Sequence, residues 1–510
     1  MTLHAPTGEL TTYPGLLDAF WEYDRALLTN DVAALDALFA PGADTARGDG
    51  ITLAVGHDEI SRFRHARTTV PTRTVSSVHV VPAGANEALI MASVRSSTGA
   101  PGLQTQLWRW SEGCWRVTAA HVNAPAAPLD RAVWRVVGAP LVPAPREGAL
   151  TGLTVAVKDV YAVEGQRLGG GVPSFVREAT PEPRNAAAVE ALLQRGADVV
   201  GIAQTDQFAY SIAGANRQYG VPLNPLAPHA LPGGSTSGGT TAVALGWASV
   251  ALGTDTAGSI RVPSAYQGLW GLRATHGAVP LDGVLPLAPT FDAAGWITRD
   301  ADTLRRVTAA MLPAESRAFS RAVTVSSLNA LSDQAGRAAA EASARALDAD
   351  SLELELELEL DLDEAFAAFR TVQAFEAWAQ HGAWIIAHPG TLDGDVAARF
   401  ALAAGVSAAE AEAARAVTGR AASVLRDVVA DRVLVLPTTA SAPPALNATA
   451  EEIDAHRANT LRLCCLAPIA GLPAVAFPSP GDPSVGVCVI GGRGRDLDLV
   501  DIAQRASSAR

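Results

Sequence analysis

Two neighbouring stretches decide the reading of this chain. Gly233-Gly-Ser-Thr-Ser-Gly-Gly239 opens the helix-like run Thr240 to Trp247, and Ala251-Leu-Gly-Thr-Asp-Thr-Ala-Gly-Ser-Ile-Arg-Val-Pro263 follows it. Each sets a serine, Ser235 or Ser259, in a glycine-rich turn, and the two serines stand 24 residues apart. A Gly/Ser loop opening a helix suits phosphate, but a phosphate loop needs Gly-Lys-Ser/Thr and no lysine stands here. A nucleophile elbow needs Gly-x-Ser-x-Gly, which neither serine satisfies. The ten histidines are scattered, without the HExxH or HxH spacing that would recommend zinc or a local Ser-His pair. A serine served by a lysine base is what remains.

The chain holds one lysine. Of its 39 basic residues 38 are Arg, and the exception, Lys158, follows the apolar run Leu153-Thr-Val-Ala-Val157 and precedes Asp159. A guanidinium stays protonated, whereas an amine in apolar surroundings is pushed toward its neutral form and becomes a base. Drift under a strong arginine bias also leaves a stray lysine, so the count by itself does not separate the two readings.

Outward from these residues, strand-like and helical patterns alternate: Leu153 to Val157, helical Ala186 to Gln194, then strand-like Asp198 to Ile202. Val433 to Pro437 and Val485 to Ile490 read as later core strands, which makes residues 151–510 an α/β body. Glu364 to Thr418 is Ala-rich and helical, and the Leu-Glu alternation of Leu352 to Asp363 reads as a half-buried strand with an acidic outer face. Residues 1–125 differ. Helical spacing over Leu16 to Phe39 is followed by β-rich runs at Val75 to Val81, Ala88 to Val94, Leu103 to Trp110 and Trp115 to Val122, predicting helices packed on a curved antiparallel sheet. Five prolines between Pro125 and Pro145 mark residues 126–150 as a proline-rich linker.

Composition excludes several classes. With 510 residues, 48% hydrophobic and 18% charged, the chain has the make-up of a multi-domain globular protein and not of a disordered one. A net charge of −13 argues against nucleic acid or an anionic membrane as partner. Met1 to Gly15 lacks the basic stub and apolar run of a secretory signal, and the uncharged stretch Gln218 to Thr254 is too interrupted by Pro, Asn, Gly and Ser to span a bilayer. Four cysteines without a CxxC pair fit a reducing cytoplasm.

Taken together, Lys158-Asp159, Gly233-Gly-Ser-Thr-Ser-Gly238 and Gly253-Thr-Asp-Thr-Ala-Gly-Ser-Ile-Arg-Val-Pro263 resemble the amidase signature family. Tyr219 to Pro225, Pro286 to Asp292 and Gly471 to Pro478 extend the resemblance over most of residues 150–505. Lys158 to Gly165 and Phe208 to Gly214 look closest to indole-3-acetamide hydrolases, whereas Thr256-Ala-Gly-Ser259 is similar to allophanate and carboxybiuret hydrolases. Tyr23 to Asp31, Gly56 to Ile60 and Trp115 to Val122 resemble the AtzH-like group of SnoaL-type cone domains. The implied architecture is an amidase signature fold, a mixed central sheet covered by helices, preceded by a small α+β cone. Such cones often serve only to dimerise, so a homodimer is expected; Arg62, Arg64, Arg67 and His121 either line the cone for an anion or form surface pairs.

The resemblance implies Ser259 as the acylated nucleophile, Ser235, after a cis peptide bond, as the bridging serine, and Lys158 as the base. It implies an oxyanion hole from the backbone N–H groups of Thr256, Ala257 and Gly258, together with Ser259's own, and no cofactor or metal. Gly233, Gly234, Ser237, Asp255 and Tyr210 are expected to support the loops or bind substrate, with Asp255 and Arg261 bracing. The implied activity is cleavage of a small carboxamide to carboxylate and ammonia; a ureide hydrolase and a non-catalytic binding protein on the same fold are the alternatives.

Overall fold

The β-branched run before Lys158 forms the strand Thr154–Lys158, whose last four residues are buried. A computed structural model describes residues 2–4, 13–49, 53–65, 73–96, 101–123, 130–313, 319, 321–352, 360–479 and 481–507. Thr154–Lys158 lies deep in a sheet that has eleven strands among the described residues. It pairs in parallel with Asp198–Ala203 on one side and Val250–Asp255 on the other. Beyond Val250–Asp255 the order runs through Ala293–Thr298, Trp270–Arg273, Ala474–Pro478, Gly486–Ile490 and Arg432–Pro437 to the parallel pair Arg321–Val325 and Asp350–Leu352. Parallel and antiparallel pairs mix, and the central strands are buried on both faces, which is why they read as continuous apolar runs.

The strands Thr154–Lys158 and Val250–Asp255 run side by side, so their C-terminal ends deliver Lys158 and the loop after Asp255 to one edge of the sheet. Crevices at the carboxyl ends of parallel strands are where α/β sheets place ligands. Helices cover the sheet. Leu362–Ala387, Gly394–Ala404 and Ala408–Val428 fill the Ala-rich region, the last started by a capping box of Ser407 and Glu410. Among the described residues no helix is long and apolar enough to cross a membrane.

The chain divides into two units, Met1–Pro128 and Leu129–Arg510. In the first, the helices Leu16–Thr29, Val32–Ala37 and His57–His65 accompany a sheet with seven strands among the described residues. Its core gathers Phe20, Tyr23, Phe39, Ile90 and Trp108. Arg64 is committed within this unit: it lies over the Phe39 ring and donates to the Leu35 carbonyl at 2.6 Å. His121 is exposed, and Arg67 lies outside the described residues.

Two stretches differ from their sequence reading. The proline-rich segment 126–150 contains the strand Trp134–Val142, which pairs antiparallel with Asp198–Ala203 at the end of the large sheet; Pro140 is tolerated because an edge strand need not donate on both sides. Of the Leu-Glu alternation, residues 353–359 lie outside the described residues, Leu352 ends the strand Asp350–Leu352, and Leu362 already begins a helix capped by Asp361. Trp270 and Trp296 belong to the core beside Phe477 and Thr308.

Candidate active site

Lys158 is fully buried at the end of its strand, with no carboxylate in ion-pair range among the described residues. Its Nζ donates to Ser235 Oγ at 2.8 Å, to Thr254 Oγ1 at 2.8 Å and to the Thr254 carbonyl at 3.4 Å. Burial pulls the amine down from its ordinary 10.5 to about 7, against the opposing pull of Asp206, Asp255 and Asp292 at longer range. The site therefore holds a buried amine in contact with hydroxyls, its charged form disfavoured by burial.

Ser235 follows a cis Gly234–Ser235 bond and leads into the helix Ser237–Ala244. Its carbonyl accepts from Thr205 Oγ1 at 2.8 Å and from the Asp206 N–H at 3.3 Å. Gly233 takes φ 76°, and a methyl there would press on Pro263; one at Gly234 would strike the Asp206 carboxylate. The glycines of the first quoted stretch are thus required by close approach. Ser259 lies in the loop between Val250–Asp255 and the helix Arg261–Tyr266, 3% exposed, and its carbonyl accepts from the N–H of Thr236, the neighbour of Ser235, at 3.3 Å. Lys158 and Ser235 are therefore in direct contact, and the Ser259 loop is stitched to the Ser235 loop through the backbone.

Asp255 organises the Ser259 loop. Its Oδ1 accepts from the Gly258 N–H at 2.9 Å and from Arg261 Nη2 at 2.8 Å, while Oδ2 accepts from Ile260 N–H at 3.2 Å and Arg261 Nε at 3.0 Å. Arg273 approaches the same carboxylate at 3.6 Å and also donates to the Asp255 carbonyl. Burial raises the carboxyl, but the two guanidiniums outweigh it and hold Asp255 well below the carboxylate range. Asp255 and Arg261 brace the loop.

This bracing corrects one expected role. The Gly258 N–H is spent on Asp255 and does not face an oxyanion, because a buried carboxylate takes the nearest donors. The N–H groups of Thr256, Ala257 and Ser259 have no acceptor among the described residues. The Thr256 hydroxyl donates to Asp292 Oδ1 at 2.5 Å, and Asp292 Oδ2 takes the N–H groups of Leu287 and Ala288, which fixes the loop from its other side. Ser237 is buried in the first turn of its helix. Tyr210 is 8% exposed, with its ring against Phe400 at 5.0 Å. Thr254, Asp206, Arg273 and Asp292 are participants that sequence reasoning missed. Thr254 sits inside the second quoted stretch, immediately before Asp255, where a hydroxyl at the end of the strand beside Lys158 was the available signal.

Both units of the chain resemble known proteins. The family described as Amidase matches residues 139–347, and the family described as AtzH-like matches residues 12–127. Amidase 1 of Arabidopsis thaliana is 30% identical over 366 residues, which cover 65% of this chain and 86% of that protein. A solved structure described as an amidase superposes with a TM-score of 0.64 at 24% identity, covering 74% of this chain and 92% of its own, and so shares the fold. The Kluyveromyces lactis allophanate hydrolase superposes with a TM-score of 0.61 at 25% identity, covering 71% of this chain and 62% of its own.

Proposed function

The chain belongs to the amidase signature family and hydrolyses amide C–N bonds, and from that premise we propose that it does so through an acyl-enzyme on Ser259, with Lys158 as base and Ser235 as proton relay. The observation that carries the reading is the 2.8 Å contact between a buried amine and the Ser235 hydroxyl, without a carboxylate beside it to keep the amine charged. With Lys158 neutral, the contact reverses: Ser235 donates to Nζ and Ser235 Oγ accepts the proton of Ser259. The Ser259 Oγ–carbonyl bond forms, the C–N bond breaks, and the same relay returns the proton to the departing nitrogen, which leaves as ammonia. Water then adds to the ester, yielding the carboxylate and restoring the Ser259 hydroxyl. In this reading the N–H groups of Thr256, Ala257 and Ser259, which have no acceptor among the described residues, meet the oxyanion, each such donor being worth roughly 3 kcal/mol.

Mass spectrometry with a slowly deacylating amide is expected to find the acyl group on Ser259, and none on the Ser259→Ala protein. Label on another side chain, or full turnover by Ser259→Ala, refutes the assignment. We favour a small carboxamide over a ureide, although Thr256-Ala-Gly-Ser259 and the fold shared with an allophanate hydrolase support the second reading. We also propose a homodimer held by residues 1–125; an unchanged oligomer by light scattering after their removal argues against it. A reducing cytoplasm is the proposed setting, in keeping with four free thiols at Cys114, Cys464, Cys465 and Cys488.

A further inference from the structure

The helix Arg261–Tyr266 starts two residues after Ser259 and ends against the other serine loop. Gln267 Nε2 donates to the Pro232 carbonyl at 2.9 Å, and Asn224 Nδ2 joins the carbonyls of Tyr266 and Leu231 at 3.0 and 3.2 Å. The Tyr266 ring lies directly on Gly233, where a methyl would come within 2.9 Å of it. Tyr266 therefore backs the turn from which Gly234 and Ser235 leave. A histidine meets it from the other side.

His456, on the helix Ala450–Cys464, places Nε2 2.5 Å from the Tyr266 hydroxyl and 3.3 Å from Thr460 Oγ1, and Nδ1 2.9 Å from Ser441 Oγ. These partners fix its protons. The Ser441 hydroxyl donates to the Ala442 carbonyl at 2.8 Å, so its oxygen accepts from Nδ1–H. A neutral ring protonated on Nδ1 presents a lone pair on Nε2, and the Tyr266 hydroxyl, kept protonated by burial, donates to it. A second proton on the ring, at Nε2, sets donor against donor. The Tyr266 hydroxyl then loses this acceptor in a residue only 2% exposed, and a buried donor deprived of its partner costs its full desolvation.

The surrounding groups decide when that happens. Tyr266 is the titratable side chain in contact with the ring. Glu452, one turn earlier on the same helix face, is spent on the N–H and hydroxyl of Thr449, and Asp454 and Arg457 flank His456 in sequence without sharing its face. Burial draws the imidazole below its ordinary 6.5, against Asp333, whose N–H donates to the Ala440 carbonyl beside Ser441 and whose charge favours the protonated ring from longer range. The ring is therefore neutral at pH 7 and gains charge in acid.

We propose that His456 is a positioning residue for the Ser235 loop: as a neutral acceptor it holds Tyr266 against Gly233, and protonation on Nε2 releases that hold and slows turnover, an acid-sensitive brace separate from the base. The proposal rests on the serine relay read above and adds a control on it.

The test measures ammonia release from pH 5 to pH 7.5 by the wild type and by His456→Gln, whose amide offers an acceptor near the place of Nε2 and takes no proton in this range. The ratio of the two kcat values cancels the titration of Lys158 or of any other base. It is expected to fall about tenfold between pH 7.5 and pH 5, with KM changing alike in both proteins. A constant ratio overturns the proposal. His456→Leu, with no acceptor, is expected to turn over about tenfold more slowly than His456→Gln at pH 7.5, and equal rates overturn it too. In a Tyr266→Phe background the wild-type to Gln ratio is expected to be constant; a fall there traces the effect to another contact of His456 and refutes the role of Tyr266. Labelling with 15N-histidine gives a readout that needs no activity: the ring signal missing from His456→Gln is expected to show Nδ1–H at pH 7.5 and to titrate below 6.5. A ring protonated on Nε2 at pH 7.5 has no acceptor for Tyr266 and overturns the scheme. Neither the signal nor the ratio depends on which side chain is acylated, so a wrong nucleophile shows in the Ser259→Ala protein and not here.

Discussion

Two buried charged centres lie on neighbouring strand ends and solve opposite problems. At Asp255 a carboxylate is surrounded by Arg261, Arg273 and three backbone N–H groups, so its charge is locked in. At Lys158 an equally buried amine meets only hydroxyl and carbonyl oxygens, and its charge is left conditional. The first centre shapes a loop, for which permanence is wanted, because a fully paired ionic network has one low-energy arrangement. On the proposed mechanism the second changes protonation during turnover, for which permanence would be fatal. Residue choice fits that proposal: arginine, which cannot give up its proton, serves the scaffold, and the chain's one lysine stands where the proposed mechanism moves a proton.

Erasing that difference produces the largest expected effect. Lys158→Arg puts a permanent charge in the amine's place and is expected to lower kcat/KM by about 10^4-fold, measured as ammonia release. If the neutral amine is the base as proposed, kcat/KM of the wild-type enzyme is expected to fall as pH drops below about 7. An active Lys158→Arg protein, or a rate flat from pH 6 to pH 9, contradicts a base at this position.

Attacking the other centre tests the scaffold. Asp255→Asn removes the charge but keeps the shape, leaving Arg261 and Arg273 buried without a counter-ion. The expected cost is about 3–5 kcal/mol of stability, read as a lower midpoint in urea. Turnover by the protein that remains folded should also fall, since Gly258, Ile260 and Arg261 all take their backbone positions from this carboxylate. An unchanged midpoint would show that the network shapes the loop without stabilising the fold.

The two centres also differ in how far they could be read in advance. Lys158 was legible because one residue type occurs once and follows a strand-like run, and the serines because glycines recur at fixed spacing around them. The commitment of the Gly258 N–H was not legible. It depends on Asp255 turning back on its own loop under the hold of Arg273, which arrives on a separate strand. Asp292 is likewise delivered by an element distant in sequence, and arginine is so frequent here that Arg273 attracts no attention. In the fold, the alternation of strands and helices after Thr151 was readable from periodicity. The strand Trp134–Val142 was not, since its prolines resemble a linker unless the segment is known to lie at a sheet edge.

The smallest effect sharpens the contrast most. Lys158→Met keeps the length of the side chain and removes the group that burial disfavours, so the inactive protein is expected to be more stable than the wild type by roughly 1–3 kcal/mol near neutral pH. The gain should vary with pH in a defined direction. Between about 7, the folded value, and 10.5, the ordinary one, the unfolded chain binds a proton at Lys158 that the folded chain does not. Wild-type stability at this site therefore rises with pH across that window, and the advantage of Lys158→Met is greatest below pH 7 and shrinks toward pH 10. Urea denaturation of both proteins at pH 6.5 and pH 9.5 measures it. If Lys158→Met proves less stable at both, the contacts with Ser235 and Thr254 outweigh the burial of the amine, and Lys158 belongs with Asp255 among the groups that hold the fold together.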